Sequence, residues 1–414
     1  MRTHDPYKAL RSRNYAFFLL GNVLDSIGNQ MQVVAVGWEL YLRTHSAAVL
    51  GFAGLVQFIP VLLLALPVGH AADRYNRKTM VLIAEIITAI AAGGLAVFSA
   101  LHVAFYFYYS CVFLLGVSLS INMTSRSSLL PSLVPKDALT NAITWNSNGR
   151  QVATMAGPAI GGLIIAITGG SFWVYVIDAL SSLAFILLLL PLKIPYQKPQ
   201  QREKISLHSL LVGARFIWET PLILATITLD LFAVLLGGAT SLLPIYATDI
   251  LHVGAQGLGW LRAAPSVGSM IMAVAIAHLP AMRRAGPTLL LAVGGFGIAT
   301  ILFGLSKNFY LSIAMLILTG AFDTISVVIR SSLVQIRTPN HMLGRVSAIN
   351  SVFIGSSNQL GEFESGTVAQ FFGAVASAVS GGIGTIIVVA SVALIWPQVR
   401  QLTTLDQAAE TTKS

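Results

Sequence analysis

Gly69-His70-Ala71-Ala72-Asp73-Arg74-Tyr75-Asn76-Arg77-Lys78 lies between two long apolar runs. From Asp73 to Lys78 it holds one acid and three permanent cations, in a chain of 414 residues whose charged content is 10%. In water such a run is a solvated turn. Between segments of membrane-spanning length it must be a tight loop at a bilayer surface, where its charges stay hydrated.

The rest of the chain has the same character. Hydrophobic residues make up 55% of it, a composition typical of polytopic membrane proteins. Twelve runs reach the ~20 residues that a bilayer requires. They cover 15–42, 47–68, 79–101, 103–126, 139–168, 171–193, 220–247, 254–280, 287–306, 308–331, 343–371 and 374–397. Several are longer than needed, so tilted or protruding helices are expected. The first run is too long for a signal-peptide core and no small-residue cleavage site ends it, so it reads as a retained helix.

Charge placement gives the orientation. Of the 25 Lys and Arg, 21 fall on the side of the N-terminus and only Arg43 and Lys307 on the other. Arg150 and Arg262 lie inside apolar runs. The positive-inside rule then predicts both termini in the cytoplasm. The net charge of +9 therefore reports topology, and no nucleic-acid partner is expected. Cys111 is the single cysteine, and the eight histidines form no His-x-x-x-His pair. No intrachain disulfide and no metal site are expected. No Walker loop, His-Glu-x-x-His or nucleophile elbow occurs, so neither an enzyme nor a cofactor is expected.

The chain repeats itself. A shift of 204 aligns Arg126-Ser127-Ser128-Leu129 with Arg330-Ser331-Ser332-Leu333, and a shift of 205 aligns Asp25 with Asp230. The offset is about half the chain, which predicts two parallel repeats. The expected fold is an all-α membrane protein with twelve transmembrane helices in two six-helix bundles. The N-terminal bundle covers 1–193 and the C-terminal bundle 220–414, with a short cytoplasmic tail. Between them, 194–219 is a cytoplasmic linker. Its stretch of Leu207, Leu210, Leu211, Ala214, Ile217 and Trp218 reads either as a helix in the membrane interface or as an extension of the seventh helix.

The loop at 69–78 has a physical reading of its own. Gly69 allows helix 2 to end against a neighbour without an intervening side chain. Asp73 is placed near the start of helix 3, where the helix dipole favours an anion. Arg74, Arg77 and Lys78 are expected to face the cytoplasm and anionic head groups. The loop is either a topology anchor alone or a latch, in which Asp73 holds a cation of the other bundle. In helix 5, Gly149, Arg150 and the run Gly157-Pro158-Ala159-Ile160-Gly161-Gly162 combine a small-residue face with a proline bend.

Charges inside spanning helices are functional candidates, because each costs at least ~2.5–3.5 kcal/mol at the bilayer centre. Asp25 and Asp230 are the leading carboxylates for proton coupling, followed by Glu362 and Glu364. Arg150 is a candidate to neutralise one of them or to bind an anionic substrate. Glu85, Asp178, Arg262 and Asp323 are also intramembrane. The alternative for each is a static ion pair that locks helices.

The spacing Gly-x-x-x-Asp-Arg-x-x-Arg-Lys resembles the loop between helices 2 and 3 of major facilitator superfamily transporters. Asn76 stands where the family usually has glycine; it tolerates the left-handed conformation, so the turn is expected to survive. The helix 5 run is similar to the motif of proton-driven antiporters in that superfamily, with Ala153 where a further glycine is common. The arginine pattern that many antiporters carry in helix 4 is not evident over 103–125. Gly37-Trp38-Glu39-Leu40-Tyr41 and Ser356-Ser357-Asn358-Gln359-Leu360-Gly361-Glu362-Phe363-Glu364-Ser365-Gly366 resemble the bacterial branch that contains the enterobactin exporter and macrolide-efflux-like proteins. The resemblance implies a monomeric inner-membrane transporter in a lipid bilayer. It would export a small molecule, a siderophore or a drug, in exchange for protons by alternating access. A non-transporting receptor or scaffold on the same fold is the reading from another class.

Overall fold

Among the described residues, twelve long helices follow the twelve apolar runs. They are α1 (Arg13–Thr44), α2 (Ala47–Arg74), α3 (Arg77–Ala100), α4 (Tyr106–Leu129), α5 (Leu139–Thr168), α6 (Phe172–Leu189), α8 (Pro221–Gly237), α9 (Gly254–His278), α10 (Ala285–Leu305), α11 (Phe309–Arg337), α12 (Leu343–Phe372) and α13 (Ala374–Ile395), with a shorter α7 (Leu207–Glu219) between the halves. The structure, a computed structural model, describes residues 5–192, 207–279, 284–339 and 342–403. The linker expected over 194–204, Arg283 and the tail after Thr403 lie outside the described residues, as do the side chains of Asp73, Arg74, Leu207, Leu210 and Leu211.

Ten of the helices are long and apolar enough to cross a bilayer by composition alone. The two long helices outside that group are α1 and α12. Both carry polar residues along their length: Asn22, Asp25, Asn29, Gln30 and Gln32 in α1, and Asn358, Gln359, Glu362 and Glu364 in α12. Polarity of that density in a spanning helix needs protein or water on that face.

Several expected boundaries move. Helix α2 does not end at Gly69; it runs to Arg74, and nothing among the described residues lies within 4 Å of where a Cβ on Gly69 would be. Asp73 is therefore in the last turn of α2 and not at the start of α3. Asn76 is not left-handed. Its φ of −66° and ψ of 124° are extended, and its side chain accepts from the Lys78 N–H as the N-cap of α3. Capping satisfies one of the free amides that open every helix, and asparagine is among the best residues for it. The left-handed conformation is used instead at Gly169 (φ 75°), which closes α5.

The seventh run is discontinuous. Helix α8 stops at Gly237, and the chain continues through a 3₁₀ turn at Ala239–Leu242 and a π-helical turn at Tyr246–Ile250. Gly238 is close-packed against Gly361 of α12, with its would-be Cβ 3.0 Å from the Gly361 carbonyl carbon. Helix α7 is separate from α8. It ends at Glu219, Thr220 leaves the helical region (φ −108°, ψ 90°), and Pro221 restarts the helix at a position where its missing N–H costs nothing. Ile217 of α7 is buried with Ile223, Val334, Val346 and Ile349, so α7 is packed on protein and not only on a membrane surface.

The contacts group the chain into two units. Unit 1 is Met1–His45, Val56–Lys204 and Gly254–Ala263; unit 2 is Ser46–Leu55, Ile205–Val253 and Ala264–Ser414. In unit 1, α1 packs on α5 and α6, and α3 on α4 and α6. In unit 2, α10 packs on α11 and α13, and α8 on α12 and α13. Lipid is as apolar as leucine, so these contacts depend on close fit more than on the hydrophobic effect. Small residues supply the fit. A Cβ on Gly157 would meet the Gln30 Cβ at 2.5 Å, and one on Gly161 the Met31 Cα at 2.9 Å, so both glycines of the α5 run face α1. Gly162 faces the first turns of α9, where its Cβ would lie 2.4 Å from the Ala255 carbonyl oxygen.

Candidate functional site

Three helices of unit 1 turn polar faces toward one another. On α4, Ser118, Asn122 and Arg126 recur every four residues; on α1, Asn22, Asp25 and Asn29 share a face; on α3, Glu85 and Thr88 do the same. Arg126 stands where the faces meet. One Nη atom reaches both Asp25 Oδ2 and Glu85 Oε1 at 2.6 Å. The other donates to Asn22 Oδ1 at 2.8 Å, and Nε donates to Asn122 Oδ1 at 3.1 Å. The guanidinium carbon lies 5.0 Å from the centre of the Phe185 ring. Ser182 of α6 donates to Asp25 Oδ1 at 3.1 Å, and Asn122 donates to Glu85 Oε1 at 3.0 Å.

Asp25 and Glu85 are fully buried, at 0% exposure each. A buried charge costs several kcal/mol unless it is paired and hydrogen-bonded. Arg126 meets that condition with a rigid fork of donors on one planar group, which lysine could not reproduce. The site has two carboxylates for one cation. A third, Asp178 of α6, is also fully buried, and neither of its oxygens has a hydrogen-bond partner among the described residues.

Unit 2 repeats the pair. Arg330 of α11 forms a salt bridge with Asp230 of α8; both are buried, at 8% and 7% exposure. The arginines and the aspartates are the residues that the sequence repeat aligns. The additional acid differs. Asp323 stands two turns before Arg330 on α11, and neither Glu85 nor Asp178 has an acidic counterpart at the repeat offset.

Arg126 and Arg330 were counted by sequence among the cytoplasmic cations. In the structure both are ion-pair partners of the two leading carboxylates, packed among the helices. The reading over 103–125 stopped one residue short of Arg126, which lies within α4. The tetrapeptide repeat was the available signal, since it aligned both arginines at the same offset that aligned the aspartates. Arg150 is exposed on α5. Glu362 lies beside Gly54 of α2, whose Cβ would come within 2.7 Å of Oε2, and Glu364 accepts from the Ser365 hydroxyl at 3.4 Å. The structure does not pair either glutamate with Arg330.

The cations of the 76–78 segment do not simply face lipid head groups. Arg77 donates to the Ser128 carbonyl at 2.7 Å, and Lys78 to the carbonyls of Leu190 and Leu192 at 2.8 Å each. These carbonyls close α4 and follow α6, so the two cations bind helix C-termini, where partial negative charge accumulates. At the other end of α1, Glu39 accepts from Arg43 at 2.6 Å and from Tyr108 at 2.8 Å, and Arg43 also donates to the Val103 carbonyl at 3.1 Å. Gly149 is close-packed on Val23 of α1, and Pro158 is buried inside α5.

The chain is 27% identical over 409 residues to the enterobactin exporter EntS of Shigella boydii serotype 4, with 97% of this chain and 94% of that one covered. EntS of Escherichia coli O1:K1 matches at the same identity and coverage. Among solved structures, a bacterial homologue of the human lysosomal transporter Spinster superposes with a TM-score of 0.73 at 14% identity, over 96% of this chain and 99% of that one. A bacterial homologue of the iron transporter ferroportin gives 0.72 at 18% identity, over 92% and 98%. Those two similarities show the fold, a major facilitator arrangement of twelve helices. Residues 4–413 match the transmembrane secretion effector family, and with nearly every residue inside that match the chain is a member of this family of multi-pass membrane transporters.

Proposed function

We propose that this secondary transporter exports a siderophore from the cytoplasm in exchange for protons, by alternating access, with both termini on the cytoplasmic side of a bacterial inner membrane. The observation that carries the proton half of the reading is the charge count around the two arginines. Arg126 faces Asp25 and Glu85, with Asp178 unpaired nearby; Arg330 faces Asp230, with Asp323 on the same helix. Each buried group holds more carboxylates than cations, which gives it room to take up and release a proton as its surroundings change. Asp25 and Asp230 are the coupling carboxylates in this reading. Glu362 and Glu364 are the next candidates for coupling, and Arg150 is the candidate to neutralise a carboxylate or bind an anionic substrate. Similarity to EntS along nearly the full chain supports the siderophore.

The direct test uses inside-out membrane vesicles loaded by an imposed pH gradient, with enterobactin as the probe. Vesicles that contain the protein should accumulate enterobactin, and a protonophore should abolish the uptake. Profiling of the medium with and without the gene under iron starvation extends the test to the native compound. If no iron chelator changes and a macrolide does, the cargo is a drug and the siderophore reading falls.

The inner loop gives a separate expectation. Asp73→Asn should abolish transport while the protein still inserts and melts normally, because a latch acts on cycling and not on folding. Unchanged uptake in the vesicle assay would leave the loop as a topology anchor.

A further inference from the structure

Unit 2 contains two adjoining cavities, and Asp323 lines both. The larger, ≈ 230 Å³, is walled by Thr240, Ser266, Ser269, Thr319 and Asn358 together with apolar residues. The smaller, ≈ 20 Å³, lies between Asp323, Asp230 and Ser326, room for one water molecule. Asp323 makes no hydrogen bond or ion pair among the described residues. On the far side of the small cavity, Asp230 is already engaged by Arg330, and the Nε of Arg330 is buried with no hydrogen-bond partner among the described residues.

The helices packed around Asp323 present few charged groups. Helix α8 presents Asp230, and α11 itself presents Arg330. Helix α10 presents Phe296 and Thr300, α9 presents Pro265, Ser266 and Ser269, and α12 presents Asn358. Those side chains are neutral. Among the described residues an anionic Asp323 therefore has no cation of its own, and the nearby Arg330 is held by another carboxylate. The wall of the large cavity, in contrast, offers hydroxyls and an amide that can order water up to the carboxyl group.

We infer that Asp323 is a second proton-binding group of unit 2 besides Asp230, loaded from the large cavity and separated from the Arg330–Asp230 pair by a single water-sized void. This rests on the proton-coupled reading for its physiological role, although the site itself can be tested without transport. In such a site the proton on Asp323 and the Arg330–Asp230 contact are linked. A water in the void can donate to Asp323 and to Asp230, which both line it, so a change at Asp323 is felt by the pair.

The test is infrared difference spectroscopy of the full-length protein in lipid nanodiscs during a pH titration, reading the carbonyl stretch of protonated carboxyl groups. Asp323→Asn should remove one titrating band that Asp178→Asn leaves in place, and Asp323→Glu should keep the band at a shifted position. Thermal melting of each variant checks that it is folded. A titration unchanged by Asp323→Asn, in folded protein, overturns the assignment. If the band is lost but pH-driven enterobactin uptake is not, the proton site stands and the coupling reading is the part that fails.

Discussion

Arg126→Ala should destabilise the protein by about 3–5 kcal/mol, the range for breaking a buried pair from one side. The loss is large because one residue serves two carboxylates. Without it, Asp25 and Glu85 remain fully buried with only neutral donors around them. Asn22 and Asn122 also lose the partner that orients their side chains. Thermal melting in detergent reads the effect directly. Arg126→Lys is expected to recover only part of it, since a single ammonium cannot bind both carboxylates, Asn22 and Asn122 at once. The informative comparison is the triple variant Arg126→Leu, Asp25→Asn, Glu85→Gln. If the cost comes from uncompensated charge, the triple variant should melt closer to the wild type than Arg126→Ala does, while transporting nothing. A single variant that melts like the wild type would show that the cluster contributes no stability.

Gly320→Ala should cost about 1–3 kcal/mol through overpacking, and Gly320→Val more. A Cβ at Gly320 would lie 1.8 Å from the Pro265 carbonyl oxygen, and a Cβ at Gly268 would lie 1.8 Å from the Ile317 carbonyl oxygen. The two glycines thus bring α9 and α11 together from both sides. Each meets backbone, so no rotamer change can relieve the clash, and one helix must move. Gly294→Ala in α10 is the control. Nothing lies within 4 Å of its would-be Cβ, and alanine favours the helix over glycine by up to ~1 kcal/mol. It should therefore melt at or above the wild-type temperature. Equal effects at Gly320 and Gly294 would mean that helix propensity, and not packing, governs both.

The helix count was legible because apolar length is a strong signal that needs no partner to be read. The repeat was legible for a similar reason: Arg126-Ser127-Ser128-Leu129 and Arg330-Ser331-Ser332-Leu333 match at sight. What the sequence hid was the use of those arginines. A cation near the end of an apolar run is ordinarily a surface residue, and the positive-inside count treats it as one. Only three-dimensional packing shows that the polar faces of α1, α3 and α4 converge on Arg126. Glu85 was legible as an intramembrane charge, but its pairing with Arg126 was not, as its partner lies on a helix about 40 residues further on. The loop at 69–78 misled in a local way. Asn76 can serve a left-handed turn or an N-cap with equal ease, and α3 starts where the cap puts it. In α8, the Gly237-Gly238 pair was visible, but a break there depends on the close approach of Gly361, which no local pattern announces.

Lys78 has a consequence for how the protein is made. Its partners, the carbonyls of Leu190 and Leu192, lie 112 and 114 residues further along the chain. At about 5–20 residues per second, the ribosome needs on the order of several seconds or more to produce them. Throughout that interval the Lys78 end of the α2–α3 hairpin lacks those two carbonyls, and its amine is held at the membrane surface by hydration and head groups. The same charge thus serves twice. It first fixes which way the hairpin points, and later joins the end of α6 to a helix that was inserted long before it. The tie between α3 and the end of α6 is therefore among the last contacts of the N-terminal half to form, and a nascent chain halted before Leu190 would lack it.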